Sequence, residues 1–294
     1  MLHFDHGAPA ARFMLRRHLD APSHPPAVGF QRRRPVSILG CRMRALARAP
    51  KPGTMRAAME TELENRQPLQ RLFAEVAPTY ELVNRVLTFG LDAHWRRKAA
   101  RLAAAEGGRA WMDACSGTGE LAANLRALAP AETQVMSLDF CRPMLARAAA
   151  KPSGRKIDFV LADVKALPFA DASLDLITIS FATRNINLSR AALVRTFAEF
   201  RRVLRPGGRF VNLETSQPRS RIVRALFHAY IRLVVRRVGA LISGSRAGYA
   251  YLGTTIPRFY PAEELTAILK EAGFNEVRVK RLLFGAAAIH LARV

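Results

Sequence analysis

The feature that most constrains this chain is a regular alternation of two kinds of run. Short apolar stretches, AWMDAC, TQVMSLDF, KIDFVLADV, LDLITISF and GRFVNLE, take turns with longer ones of helical spacing, such as GELAANLRALA, RPMLARAAA and RAALVRTFAEFRRVL. Strands that alternate with helices imply βαβ units, hence a parallel sheet covered by helices on both faces. The end breaks the rule. NEVRVKRLLFG and AAAIHLARV are two strand-like runs with no helix between them, which predicts an antiparallel hairpin at the sheet edge. With half of its 294 residues apolar, the chain can bury a sizeable core.

The first 54 residues do not share this pattern. They hold seven of the seventeen prolines, and ten basic residues against two acidic ones, a surplus of eight within a total charge of +23. Without periodicity, this stretch reads as a disordered leader. It fits an Arg-rich transit peptide, a basic arm for lipid or RNA, or sequence upstream of a true start at Met55. The third reading is favoured. Residues 55–294 then form the domain.

Cys41, Cys115 and Cys141 make neither a metal-ligand spacing nor an even framework, which suits a reducing cytoplasm and predicts no bound metal. No segment is long and uncharged enough to span a bilayer. The surplus of positive charge points to a polyanion, either nucleic acid or an anionic lipid surface. Nucleic acid is disfavoured because no aromatics are interleaved among the arginines of the domain to stack on bases.

The first strand is followed by DACSGTGE, residues 113–120, which opens a helix. Gly117 and Gly119 let a ligand approach the backbone closely, and the helix start offers free N–H groups near Thr118. The loop lacks both the full dinucleotide fingerprint and the Lys of a phosphate loop, so no pyrophosphate grip is expected. The next strand ends in Asp139, about twenty residues on, where a carboxylate can accept both hydroxyls of a ribose. The following strand run ends in Asp163-Val164, an acid for an exocyclic adenine amine and a side chain to line the base. Each acid alone reads as a helix cap. Three such features at successive strand ends read as an adenosyl site. A ribose grip without a phosphate grip favours S-adenosyl-L-methionine.

The fourth run ends in SFATRN, which places Arg184-Asn185 at the mouth of the core. A cap plus a surface cation is the plainer reading of that pair. RIVRALFHAYIRLVVRRV, residues 221–238, is a basic amphipathic helix. Arg221, Arg224, Arg232 and Arg236 share one face, Val235 and Arg237 break the pattern, and the apolar face suits an anionic membrane surface or a substrate lid. Residues 219–258 are read as this lid or insertion.

In order, DACSGTGE, LDF-x-x-x-ML, ADVKALPFADASLD, SFATRN and RVLRPGGRFVNLETSQP resemble a class I S-adenosylmethionine-dependent methyltransferase. More narrowly, they resemble the ubiquinone/menaquinone biosynthesis C-methyltransferases, over nearly the whole domain from FAEVAPTYELVN to FGAAAIHLARV. GYAYLGTTIPRFYPAEEL matches a further motif of that family, while LETSQP and FGAAAIH lie closer to its menaquinone branch. Ala182, Glu81 and Thr255 depart from the family's glycine, aspartate and serine.

The resemblance implies a Rossmann-like sheet of seven mostly parallel strands, with S-adenosyl-L-methionine contacted by Thr118, Asp139, Asp163, Val164 and Ser180. Asp113, Gly117 and Gly119 of the glycine loop are expected to complete that site. It implies a polyprenyl hydroquinone as acceptor, with catalysis by Arg184, Asn185 and Tyr80 and substrate contacts from Asn84, Tyr249, Tyr251 and His290. His290 is open between a base and a structural strand-end histidine. The enzyme is expected in the cytoplasm, peripheral at the inner face of the membrane, with a homodimer left open. Other expectations are a methyltransferase for another small phenol or lipid and, in a different class, an RNA-binding or RNA-modifying protein.

Overall fold

The computed structural model describes residues 70–294, so the leader and the start at Met55 lie outside the described residues. Helical turns over 70–76 (α1) lead into α2 (Tyr80–Leu87) and α3 (Leu91–Ala104). The alternation then runs β1 (Ala110–Ala114), α4 (Glu120–Leu128), β2 (Gln134–Asp139), α5 (Arg142–Ala150), β3 (Asp158–Leu161) and β4 (Leu174–Ser180). It continues through the single turn α6 (Thr183–Ile186), α7 (Arg190–Val203) and β5 (Leu204–Thr215). Next come α8 (Arg221–Tyr230), a π-helical turn (Ile231–Val235), α9 (Arg236–Ser243), α10 (Arg246–Thr255) and α11 (Ala262–Glu271). The hairpin β6 (Glu276–Leu282) and β7 (Ala287–Arg293) closes the chain.

The described residues form one seven-stranded sheet in the order β3-β2-β1-β4-β5-β7-β6. β1 to β5 pair in parallel, while β7 runs antiparallel to both β5 and β6. The expected hairpin is present, but it is inserted: β7 sits inside the sheet and β6 forms the edge. Alternation along each strand feeds two cores. Met112, Ile177 and Phe210 face one side, where Phe197, Phe200 and Phe274 pack against them. Trp111, Leu176 and Val211 face the other, against the Ala99-Ala100-Ala103 stripe of α3. Burial on both faces is what made these strands read as continuous apolar runs.

The segment 221–243 corrects the sequence reading. An ordinary α-helix keeps one phase, but the π turn advances the chain by one extra residue. Val235, which breaks the pattern of a straight helix, is buried together with Ile231. Ile222, Leu226, Leu233 and Val234, on the apolar face expected to meet a membrane surface or serve as a lid, are exposed. The faces therefore switch along the segment.

Candidate active site

The first three parallel strands deliver their C-terminal ends to one cleft. Cys115 (φ 50°) and Gly117 (φ 56°) take left-handed conformations, which fold the chain back sharply after β1. A Cβ on Gly117 would meet nothing within 4 Å, so the space above it is open to a ligand. At Gly119 the demand is different: a Cβ there would come within 2.9 Å of the Ala148 Cβ, so glycine lets α4 pack tightly on α5.

Asp139, buried at the end of β2, accepts hydrogen bonds from the Gly117 N–H and the Cys141 N–H, both at 2.8 Å. It thus ties two strand-end loops together beneath the cavity that it lines. Burial raises its pKa, against the backbone donors that favour the carboxylate. Asp163, Val164, Thr118, Gly117 and Ser180 line the same cavity. The Asp163 carboxylate also accepts the Lys165 N–H at 2.9 Å, the capping role that a strand-end acid takes when read alone. Lys151 donates to the Thr118 carbonyl at 2.7 Å and pairs with Glu81, which couples α2 to the glycine loop.

Two predicted donor-site residues lie elsewhere. Asp113 is the fourth residue of β1 and points into the sheet packing, where its Oδ1 accepts the Thr178 hydroxyl at 2.7 Å. It does not line the cavity. Burial pushes its carboxyl up to about 7, although Thr178 opposes the shift. Gly119 acts as the residue that starts α4 rather than as a wall of the cavity.

A second, larger and mainly apolar cavity of about 430 Å³ lies between α2, α3, α8, α10 and the end of β5. Tyr80, Asn84, Arg184, Asn185, Tyr249 and Tyr251 all line it, so the structure brings the predicted acceptor residues together. His290 is the exception. It sits mid-strand in β7, buried opposite Asn212, with Nε2 donating to the Ala262 carbonyl at 3.0 Å, and it lines neither cavity. Burial lowers its pKa, as expected of a neutral structural imidazole. The base reading of His290 fails because β7 is antiparallel and its register centres that residue in the sheet.

The two cavities share a wall made by Phe73, Tyr80, Arg96, Phe181 and Asn185. Phe181 adopts φ 56°, an unusual conformation for a bulky residue and a form of strain that clusters at working sites. Its ring lies against Trp95 and under the Arg96 guanidinium, 5.1 Å from Cζ to the ring centroid.

Arg96 is the residue that sequence reasoning missed. Buried on α3, it pairs through Nη1 with Asp92 (2.7 Å) and Glu120 (2.9 Å), and its Nε–H donates to the Ser180 hydroxyl at 3.4 Å. Burial weakens its charge, but Glu120 and Asp92 more than restore it, so its pKa lies above the ordinary value. The signal was available: Asp92, Arg96, Ala99 and Ala103 form one helical stripe, and two charges on a buried stripe call for a purpose.

Arg184 is likewise no surface cation. Its Nη1 donates to Glu214 Oε1 (3.1 Å) and Thr215 Oγ1 (3.2 Å), and its backbone N–H donates to Glu214 Oε2 (3.1 Å). Its side chain is 6% exposed and that of Glu214 is 0%. The Arg184 Nε–H is buried without a partner. Beside it, the Tyr251 hydroxyl makes a long contact of 3.4 Å to Asn185 Oδ1. Burial raises the Tyr251 pKa, with the Arg184 charge opposing, so the phenol stays protonated at neutral pH. Among the described residues no cluster of three or more His, Cys, Asp or Glu is arranged to hold a metal.

A mostly parallel seven-stranded sheet with an antiparallel last strand, and a cleft at its strand ends, defines the class I methyltransferase fold. The chain belongs to the ubiE/COQ5 methyltransferase family, whose model matches residues 59–293. A demethylmenaquinone methyltransferase from Thermus thermophilus is 40% identical over 222 residues, which cover 75% of this chain and 98% of the relative. The ubiquinone/menaquinone biosynthesis C-methyltransferase UbiE from Desulfotalea psychrophila is 34% identical, over 80% of this chain and 94% of the relative. Among solved structures, a SAM-dependent methyltransferase from Thermotoga maritima aligns with a TM-score of 0.51 at 16% identity, a likeness of fold. That alignment covers 76% of this chain and 98% of the other.

Proposed function

We propose that this methyltransferase moves a methyl group from S-adenosyl-L-methionine to a ring carbon of a polyprenylated demethyl-hydroquinone, demethylmenaquinol being the best fit. The observation that carries the reading is the pair of joined cavities. One has carboxylates at strand ends and an open glycine loop; the other is larger and mainly apolar, as a prenyl chain would require; they share a partly polar wall. The relatives' names supply the same substrate class.

The donor fits the residues present. Asp139 and Asp163 would accept from ribose hydroxyls and the adenine amine, Val164 would line the base, and Ser180 would flank the reacting end. When bound there, the donor supplies an electrophilic methyl on a sulfonium. The chain's task is to hold the acceptor carbon in line with it and keep water out. Arg184, fixed by Glu214, would stabilise the oxyanion formed when the acceptor hydroxyl loses its proton. Asn185 would hydrogen-bond the same oxygen or the water that carries the proton away. Tyr80 and Asn84 would close the cleft from α2, and Tyr249 and Tyr251 would wall the ring. The acceptor carbon would gain the methyl as the donor's carbon–sulfur bond broke, and the ring proton would pass to the water beside Asn185, restoring aromaticity.

Among the described residues no helix is long and apolar enough to cross a membrane. The substrate reading favours a cytoplasmic enzyme, peripheral at the inner membrane face. Incubation with labelled donor and demethylmenaquinol should yield a methylated lipid identified by mass, and a benzoquinol arm reports the ring preference. Donor binding without any methylated quinol would refute the acceptor class. Asp139→Asn should weaken donor binding at least tenfold by calorimetry.

A further inference from the structure

The apolar cavity opens between two turns that do something unusual with large side chains. Phe89, in the turn between α2 and α3, has φ 51° and is 83% exposed. Leu283 and Phe284, in the turn between β6 and β7, have φ 44° and 54°, and Phe284 is 82% exposed. Left-handed backbone is costly for bulky residues, so these side chains are held outward against both conformational and hydrophobic preference. All three line the cavity, as does exposed Leu226 of α8, and Ile222 stands one turn before Leu226 on the same helix.

The flanking segment is as one-sided in charge as the turns are in hydrophobicity. Residues 219–258 contain eight arginines and no acidic residue. Arg221 in α8, Arg232 in the π turn, and Arg236 and Arg237 in α9 are exposed. A greasy rim interrupted by polar groups suits a protein partner or a second copy. A greasy rim beside an acid-free arginine segment suits an apolar layer capped by negative charge.

We infer that the turns carrying Phe89 and Leu283-Phe284, together with the outer face of α8, form the surface by which this protein docks on an anionic lipid bilayer, with the mouth of the cavity facing the acyl layer. The inference rests on the proposed lipid acceptor, since a cavity that loads from the membrane interior has use for such a rim. Phenylalanines would enter the acyl boundary, and the arginines would meet phosphate headgroups.

Flotation of the full chain with vesicles tests it. Phosphatidylcholine vesicles containing phosphatidylglycerol should bind the protein at least tenfold more tightly than phosphatidylcholine alone. Phe89→Ser/Phe284→Ser should lose at least tenfold in partitioning at unchanged circular dichroism, and Ile222→Ser, outside the cavity, should lose a few-fold. Equal partitioning of the double variant and the wild type would overturn the assignment. So would a wild-type dimer, seen by light scattering, that dissociates in the double variant and binds no vesicles. Rim-dependent vesicle binding by a protein that methylates no quinol would support the docking surface and count against the substrate reading.

Discussion

The Arg184–Glu214 pair permits a test that separates structure from chemistry. Both side chains are buried, so water screens them little, and removing one partner leaves the other's charge uncompensated. Glu214 also accepts the backbone N–H groups of Arg184 and Thr215, at 3.1 and 2.7 Å. Alanine at 214 would therefore strand several donors at once, whereas glutamine keeps one acceptor oxygen, removes the charge and turns the other oxygen into a donor. Glu214→Gln and Arg184→Met should each destabilise by about 3 kcal/mol, the low end for a broken buried pair. At roughly 2–4 °C per kcal/mol for a domain of this size, that is on the order of 10 °C in the melting midpoint. The double variant buries no charge and should cost less than either single change. Turnover should not follow stability. Arg184→Met and the double variant should both lose about 10²-fold or more in kcat, because the donor to the developing oxyanion is missing in each. Urea denaturation and labelled-donor turnover on the four proteins complete the cycle. Recovery of turnover in the double variant would reduce Arg184 to a structural role, and additive stability losses would deny the pair altogether.

Asp113 gives a pH signature. Its folded carboxyl is raised to about 7, so its contribution is fully present below the ordinary carboxylate range and is lost as pH rises through 7. At about 1.4 kcal/mol per pKa unit, on the order of 4 kcal/mol is at stake. Asp113→Asn should flatten the fall in stability between pH 4 and 8 in urea titrations; an unchanged profile would assign the slope elsewhere. Gly239 lies under Tyr249, whose Cδ1 a Cβ would approach to 2.1 Å. Gly239→Ala should loosen α8 to α10 by roughly 1–3 kcal/mol. Hydrogen exchange should rise there while the sheet stays protected, and uniform protection would show that the segment repacks.

Strand and helix types were legible because burial on both faces and helical spacing leave unmistakable patterns. The insertion of β7 between β5 and β6 was not, because strand order at an antiparallel edge leaves no period in the sequence. The same gap misplaced His290, whose role depends on register. Asp113 was misread for a local reason: it precedes the glycine loop by enough residues that strand alternation turns it into the core. Asp139, Asp163, Tyr80, Asn84 and Asn185 line the two cavities, and their standing at element ends or in distinctive motifs is what singles them out in the sequence. Arg96 stands in HWRRKAARL, where three neighbouring bases disguise one buried cation as part of a solvated face.

The π turn at Ile231–Val235 works as a one-residue phase slip in an otherwise continuous rod. Deleting one residue from it would let the backbone close as ordinary α-helix with the downstream faces nearly kept, because the wide turn already absorbs that residue. Adding a residue between it and α9 would instead swing everything downstream by about 100°. Arg237 would then take the half-buried place of Val238, and Gly239 would leave the ring it supports. The segment thus tolerates substitution far better than an added residue, and its spacing, more than its composition, is what the fold guards there.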